Sequence, residues 1–222
     1  MKTTTLLFIC LLLTVGGQAQ EAEKRPVWKV ELAGALNNYS AWEVEPTITY
    51  LPIPMGFLFC NTIEDESYSG VSKDQRWRWS SDDDSPLCHH FALRPAIQLA
   101  TPALKLGKDK DMGLSFILSP GLTIPLSVNQ RLNISYYPNV SGIWSSQRFD
   151  QVKNRGGRAI FYHIKGMFTL DLGEQYTLSA GYTFSDFDMY SGGRNMVVEG
   201  KKLTMPAFRF MHSFFVSLGY RF

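Results

Sequence analysis

Along most of the chain apolar side chains recur at every second position, a period that selects extended strands and leaves no amphipathic helical stretch to compete. At the C-terminus Phe214, Val216, Leu218, Tyr220 and Phe222 share one face, while Ser213, Ser217, Gly219 and Arg221 share the other. Tyr176, Leu178, Ala180, Tyr182 and Phe184 likewise oppose Thr177, Ser179, Gly181, Thr183 and Ser185. Further runs of this kind cover 160–171, 112–126 and 132–136, with shorter ones at 91–99, 44–50 and 28–32. The fold class is therefore all-β.

Residues 1–19 read as a secretory signal peptide: Lys2, the apolar run Leu6–Val15, then Gly16-Gly17-Gln18-Ala19. Cleavage after Ala19 leaves residues 20–222 as one domain. Beyond that leader no run of eighteen apolar residues occurs, so the mature chain has no helix that could cross a bilayer. A membrane location then requires a closed sheet, because backbone groups in hydrocarbon must pair internally. Removing Lys2 with the leader takes the 22 basic residues to 21 against 20 acidic ones, a balance that indicates no nucleic-acid partner.

Alternation alone also suits a soluble barrel or sandwich with its greasy face inward. Three details favour the inverted arrangement. The polar faces carry Lys29, Glu31, Glu43, Glu45, Arg94, Lys165, Asp171 and Arg209, whose opposite charges could pair across a narrow lumen. Aromatics such as Trp28, Tyr176, Phe184, Tyr220 and Phe222 gather near strand ends, where interfacial girdles belong. Short and long connections alternate toward the C-terminus, with loops at 188–206 and 143–157 and turns at 173–175, 127–130 and 107–111. The expected fold is an antiparallel up-and-down transmembrane β-barrel of about 8 strands.

Eight strands follow if 27–36, 43–59 and 90–106 are single strands, which puts residues 60–89 on the short-turn side. Pro52 and Pro54 interrupt the second, and the alternation of the third changes phase near Thr101-Pro102. Splitting both gives ten strands and moves 60–89 to the long-loop side. Eight is preferred, since a tilted transmembrane strand needs about 9–11 residues.

The signal peptide, the amphipathic strands and the closing Gly219-Tyr220-Arg221-Phe222 together resemble the outer-membrane β-barrel family of Gram-negative bacteria, over the whole mature sequence. The resemblance implies location in the outer membrane and contact with its lipid and lipopolysaccharide. It also implies delivery by the barrel-assembly machinery, with Gly219, Tyr220 and Phe222 as the assembly signal. No domain is expected after the barrel.

Cys60 and Cys88 are expected to form a disulfide in an oxidising compartment. Cys88-His89-His90 is also a possible metal cluster with Cys60, but no CxxC pair, EF-hand spacing or phosphate loop accompanies it, so no metal or cofactor is expected. Glu31, Arg94, His163, Lys165, Asp171 and Arg209 form the expected lumen network. Asp186, Asp188 and Arg194 occupy a surface loop, closing a site there or anchoring the loop through a charged pair. No catalytic set is assigned; His163, with Ser179, Thr183 or Ser185 on the next strand, is the residue on which lipid-modifying or proteolytic chemistry would depend. An eight-strand interior holds only side chains, so the expected role is structural or surface-interacting. The alternatives are a barrel enzyme, a small-solute transporter or channel, and a soluble periplasmic β-protein.

Overall fold

A computed structural model describes residues 28–50, 52–63, 67–81, 89–107, 111–143 and 145–222. The signal peptide, Gln20 at the expected cleavage point, and Cys88 lie outside them. The strands are β1 (Trp28–Asn37), β2 (Ala41–Tyr50), β3 (Ile53–Thr62), β4 (Ser69–Val71), β5 (Trp77–Ser81), β6 (His89–Pro95), β7 (Leu99–Ala100) and β8 (Leu104–Leu106). There follow β9 (Met112–Pro125), β10 (Arg131–Pro138), β11 (Arg148–Lys153), β12 (Phe161–Leu172), β13 (Tyr176–Ser185), β14 (Val197–Val198), β15 (Lys201–Lys202) and β16 (Met211–Arg221).

Eight of these close a barrel in the order β1-β2-β3-β6-β9-β12-β13-β16, every neighbouring pair antiparallel. Closure is made by β1 on β16, from Lys29↔Arg221 to Asn37↔Ser213. The greasy face looks outward: Phe214 is 72% exposed, Leu218 66% and Val216 57%, whereas Ser213 and Ser217 are buried. At the end holding Trp28 and Phe222, here the near end, rings pack as Trp28–Tyr50 (4.9 Å), Tyr176–Tyr220 (5.3 Å) and Tyr220–Phe222 (5.0 Å). Phe184 and Phe210 pair at 4.7 Å toward the far end.

The number eight holds, but two of the strands differ from those expected. Residues 43–59 fall in two strands, β2 and β3, which pair as a hairpin down to Tyr50↔Ile53. Pro52 lies at the reversal and Pro54 one residue into β3, positions where a missing N–H costs no central ladder bond. Residues 90–106 act as one pass along β9, through Leu93↔Ile124, Ala96↔Gly121, Leu99↔Leu118 and Leu104↔Leu114. Between Ala100↔Ile117 and Leu104↔Leu114 this pass uses one residue more than β9, a bulge that explains the phase change at Thr101-Pro102. Residues 131–138 are not part of the barrel wall, because 127–130 carries the chain onward past the rim instead of turning it back. The described residues of 60–89 consequently lie at the far end, with those of the other long connections, 126–160 and 186–210, rather than on the short-turn side.

A second sheet, β11-β10-β5-β4, stands at that far end. It is built by the same chain passes as the wall. Arg131↔Lys153 continues the register of Thr123↔Phe161, with 124–130 and 154–160 of equal length between them. The pairings β5–β10 and β4–β5 likewise continue β6–β9 and β3–β6 to within two residues. The kink is held by the 186–210 loop: Gln130 N–H donates to Gly192 C=O (3.0 Å), and Asn154 Nδ2 to Ser191 C=O (3.2 Å).

Inside the wall, large side chains lie over glycines of the next strand, as a narrow barrel requires. A Cβ on Gly181 would stand 2.4 Å from Gly166 O, 2.6 Å from Met167 Cβ and 2.8 Å from Phe215 Cζ. We expect Gly181→Ala to lower the unfolding free energy by about 1–3 kcal/mol, read from urea titration of tryptophan fluorescence in detergent. An unchanged midpoint would show that Phe215 and the wall re-seat without strain.

Candidate functional site

Lumen-facing parity on β1, β2, β6 and β12 brings charged groups from four strands into one interior. Arg94 is 2% exposed, and its Nη1 donates to Glu45 Oε2 at 2.8 Å and Glu43 Oε2 at 3.4 Å. Lys165 Nζ donates to the other oxygen of Glu45 from across the barrel. Glu43 also accepts from Ser213 Oγ (2.6 Å) and Asn37 Nδ2 (2.8 Å). Lys29 pairs with Glu31 at 2.7 Å, and Ser217 donates to Glu31. Glu45 reaches Arg94 over the bare backbone of Gly56, where a Cβ would lie 2.3 Å from its Oε1. Each buried charge thus has an opposite charge or hydroxyl beside it, the condition under which burial is tolerated.

Of the residues assigned to this network from the sequence, Glu31, Arg94, His163 and Lys165 line one internal cavity of about 30 Å³, room for about one water. Asp171 pairs with Arg221 near the near-end rim. Arg209 is not in the lumen: β16 begins at Met211, and Arg209 is exposed with its guanidinium on the Phe210 ring. His163 is buried, its Nδ1 3.1 Å from Thr123 Oγ1. Ser185 is its register partner, but that hydroxyl donates to Tyr162 C=O (2.7 Å) and accepts from Phe187 N–H (3.0 Å). Ser179 hydrogen-bonds Thr169 instead. The middle of the lumen is filled by Ile117, Met167 and Phe215 against Ala33 and Ala35. Phe215 was discoverable from sequence, since its parity places it among the small polar residues of β16.

Above the network lies a second, apolar core. The 186–210 loop brings Phe187, Met189, Tyr190, Met196, Leu203 and Met205 down onto the barrel mouth, while β10 and β5 cover them with Leu132, Ile134, Tyr136 and Trp79. Asp188 holds this loop: it pairs with Arg194 through both carboxylate oxygens and accepts from Tyr190 N–H (3.1 Å) and Tyr39 Oη (3.4 Å). Burial and the nearby carboxylate push the Tyr39 hydroxyl up to about 12. Asp186 does not join Arg194. It accepts from Tyr162 N–H at 2.7 Å and pairs with Arg158 at 2.7 Å. The three loop residues therefore anchor chain to chain.

Cys88 lies outside the described residues, and the Cys60–Cys88 disulfide expected from sequence does not appear among the described contacts. Cys60 is a free thiol with 0% exposure, because β3 points it into the mouth core, where its Sγ lies 3.7 Å from Met189 Sδ.

No protein-family model matches the chain, and no curated protein matches it. Among solved structures, it is similar to the N-terminal β-barrel domain of Pseudomonas aeruginosa OprF, with a TM-score of 0.39 and 12% identity over 89% of this chain and 98% of that one. Neisserial surface protein A is similar at a TM-score of 0.37 and 8% identity, over 88% of this chain and 96% of that one. The architecture here rests on the strand pairing itself.

Arg94→Met leaves Glu43 without a charged partner and Glu45 with Lys165 alone. The expected loss is about 3–5 kcal/mol, the range for stranding a buried charge, read from urea unfolding in detergent. Adding Glu43→Gln should recover part of it, and a triple change with Glu45→Gln more. A single variant as stable as the parent would show that water reaches the network.

Proposed function

We propose that the protein is a small outer-membrane β-barrel that serves as a surface platform, with its far end outside the cell and its lumen closed to diffusion. The observation that carries this reading is the polarity of the wall: a closed ladder with every backbone edge paired, apolar outside, and charges, hydroxyls and small residues within. A soluble barrel has the reverse. Aromatic rings at the near-end rim suit an interfacial girdle, and the long connections share one end, as surface loops do in such barrels.

The platform is the β11-β10-β5-β4 sheet and the mouth core beneath it. Its face away from the core displays Arg131, Lys153 and Phe149, the last 70% exposed, and further cations, Arg155, Lys201 and Lys202, are exposed at the same end. Such groups suit an anionic surface such as the lipopolysaccharide leaflet, or a partner that meets the sheet. The paired lumen and the packed mouth argue against a solute channel. His163 is held by Thr123, and the described hydroxyls of Ser179 and Ser185 bond elsewhere, which supports a non-enzymatic role.

Fractionation tests the location: the protein should stay with outer membranes until detergent is added and should migrate faster on gels before boiling than after. Recovery in the aqueous periplasmic fraction would overturn the reading. Val216→Arg, on the outer face at the middle of β16, should cost about 2–4 kcal/mol on refolding into vesicles. Planar bilayers should show no unitary conductance. Replacing residues 131–153 by a short turn should leave a heat-modifiable barrel and weaken whole-cell binding to lipopolysaccharide-coated surfaces; unchanged binding would remove the sheet from the proposal.

A further inference from the structure

On one side of the barrel the outer face loses its side chains. Gly34 on β1, Gly166 on β12 and Ala180 on β13 leave bare the floor of a groove of about 700 Å³, and Phe168, Tyr182 and Phe214 stand along it. The four strands involved are consecutive round the wall, β12-β13-β16-β1, and these six residues hold their outward parity. The groove therefore opens to hydrocarbon and not to the lumen. A Cβ built on Gly34 meets no described atom within 4 Å.

From the groove a line of contacts climbs β13 and β16 to the far-end rim. Tyr182 lies 4.9 Å from Phe214, and its hydroxyl hydrogen-bonds His212 Nδ1. Phe184 packs on His212 at 5.5 Å and on Phe210 at 4.7 Å, and the Arg209 guanidinium lies 5.1 Å from the Phe210 ring centre. Arg209 is exposed and has no carboxylate partner among the described residues. With the phenol as donor, the imidazole hydrogen stands on Nε2, which also lacks a partner among the described residues. His212 is eight positions along β16 from Tyr220 of the near-end girdle. At about 3.4 Å per residue and a tilt of about 35–45°, that is roughly 19–22 Å along the barrel axis. Against an apolar band about 25 Å tall, His212 falls at the far interface, Arg209 beyond it, and the groove in the far half of the hydrocarbon.

We propose that the groove and this line of side chains form one lipid site, occupied by lipopolysaccharide of the outer leaflet. An acyl chain fills the groove, a carbonyl oxygen near the head of that chain accepts from His212 Nε2, and a phosphate meets Arg209. The proposal rests on the reading that the far end faces outward. Apolar contact alone selects no lipid, because in hydrocarbon one chain merely replaces another. Selection comes from two other features. Small floor residues let a chain approach the backbone closely, and the donors at the head of the groove come in the order in which an acylated, phosphorylated lipid presents its acceptors. The charge-assisted contact from Arg209 favours an anionic head, and an N–H facing the membrane at His212 is satisfied by a lipid oxygen rather than left bare.

The experiment adds purified diphosphoryl lipid A, or phosphatidylglycerol, to the detergent-folded chain and counts retained lipids by native mass spectrometry. One lipid A per chain should be retained, in preference to phosphatidylglycerol. Gly34→Phe fills the groove from the membrane side without meeting backbone and should strip the bound lipid. His212→Phe keeps a ring and removes the donor, which should weaken retention about 3- to 15-fold. Arg209→Gln should weaken it too and remove its salt dependence. Ile48→Phe, outward on β2 in the near half of the wall, should leave it unchanged. Heat-modifiable migration reports folding of each variant, and if Gly34→Phe does not fold, His212→Phe and Arg209→Gln decide. The site is overturned by a parent that retains no lipid A or holds phosphatidylglycerol as well, or by groove variants that behave as Ile48→Phe does. A barrel that stays with outer membranes but retains no lipid A loses this site and keeps the surface reading, whereas recovery from the periplasm removes both.

Discussion

Glu45 is the point on which the interior depends. It takes Arg94 from one side and Lys165 from across the barrel, and it reaches Arg94 only because Gly56 leaves the backbone between them bare. Inside this eight-stranded wall the charges share a space of about 30 Å³, room for about one water and too little to hydrate them all. Attraction must replace hydration, and the geometry must hold each pair in contact. The other large inward groups obey the same spatial rule: His163 lies over Gly121, Phe215 over Gly181 and Lys29 over Gly219. Large and bare positions alternate around the lumen, and this filling is what turns a ring of strands into a solid body.

The exterior follows from the same parity with the opposite solvent. Residues one step out of phase with the ion network form a continuous apolar wall, which an aqueous setting would penalise and hydrocarbon would not. At the far end the strands do not stop where the wall does. Passes β6, β9 and β12 run on in nearly unbroken register, bend where Gln130 and Asn154 bond to the 191–192 backbone, and become the second sheet. The bend lets that sheet cover the loop that seals the mouth. The polar lumen and the apolar cap are therefore two parts of one closure, joined at Asn37, whose amide donates to Glu43 on the network side and lies against Cys60, Met189 and Met211 on the other.

What was legible in the sequence is what repeats locally. Alternation identified the strands, and parity assigned each residue to a face. Gly173-Glu174-Gln175 marked a tight turn, and Gly173 indeed takes φ +67° there. Lys29, Glu31, Arg94 and Lys165 could be put on one surface without knowing their neighbours. The errors arose where a local signal has two meanings. Residues 131–138 alternate as well as any wall strand, yet their apolar face is spent on the mouth core. The prolines at 52 and 54 read as an interruption within one strand and prove to mark a reversal between two. The two misreadings offset each other in the strand count, but they placed 60–89 at the wrong end.

The sequence by itself determined that this chain is a sheet with one oily and one polar face and a filled interior, because side-chain direction in a strand depends only on the residue's own position. Tertiary structure alone decided which passes close the wall, that Asp186 answers to Arg158 and Asp188 to Arg194, and that Cys60 meets Met189 across more than a hundred residues of chain. Those choices rest on long-range register and on competition among partners for the same small space, quantities that no local stretch of residues carries.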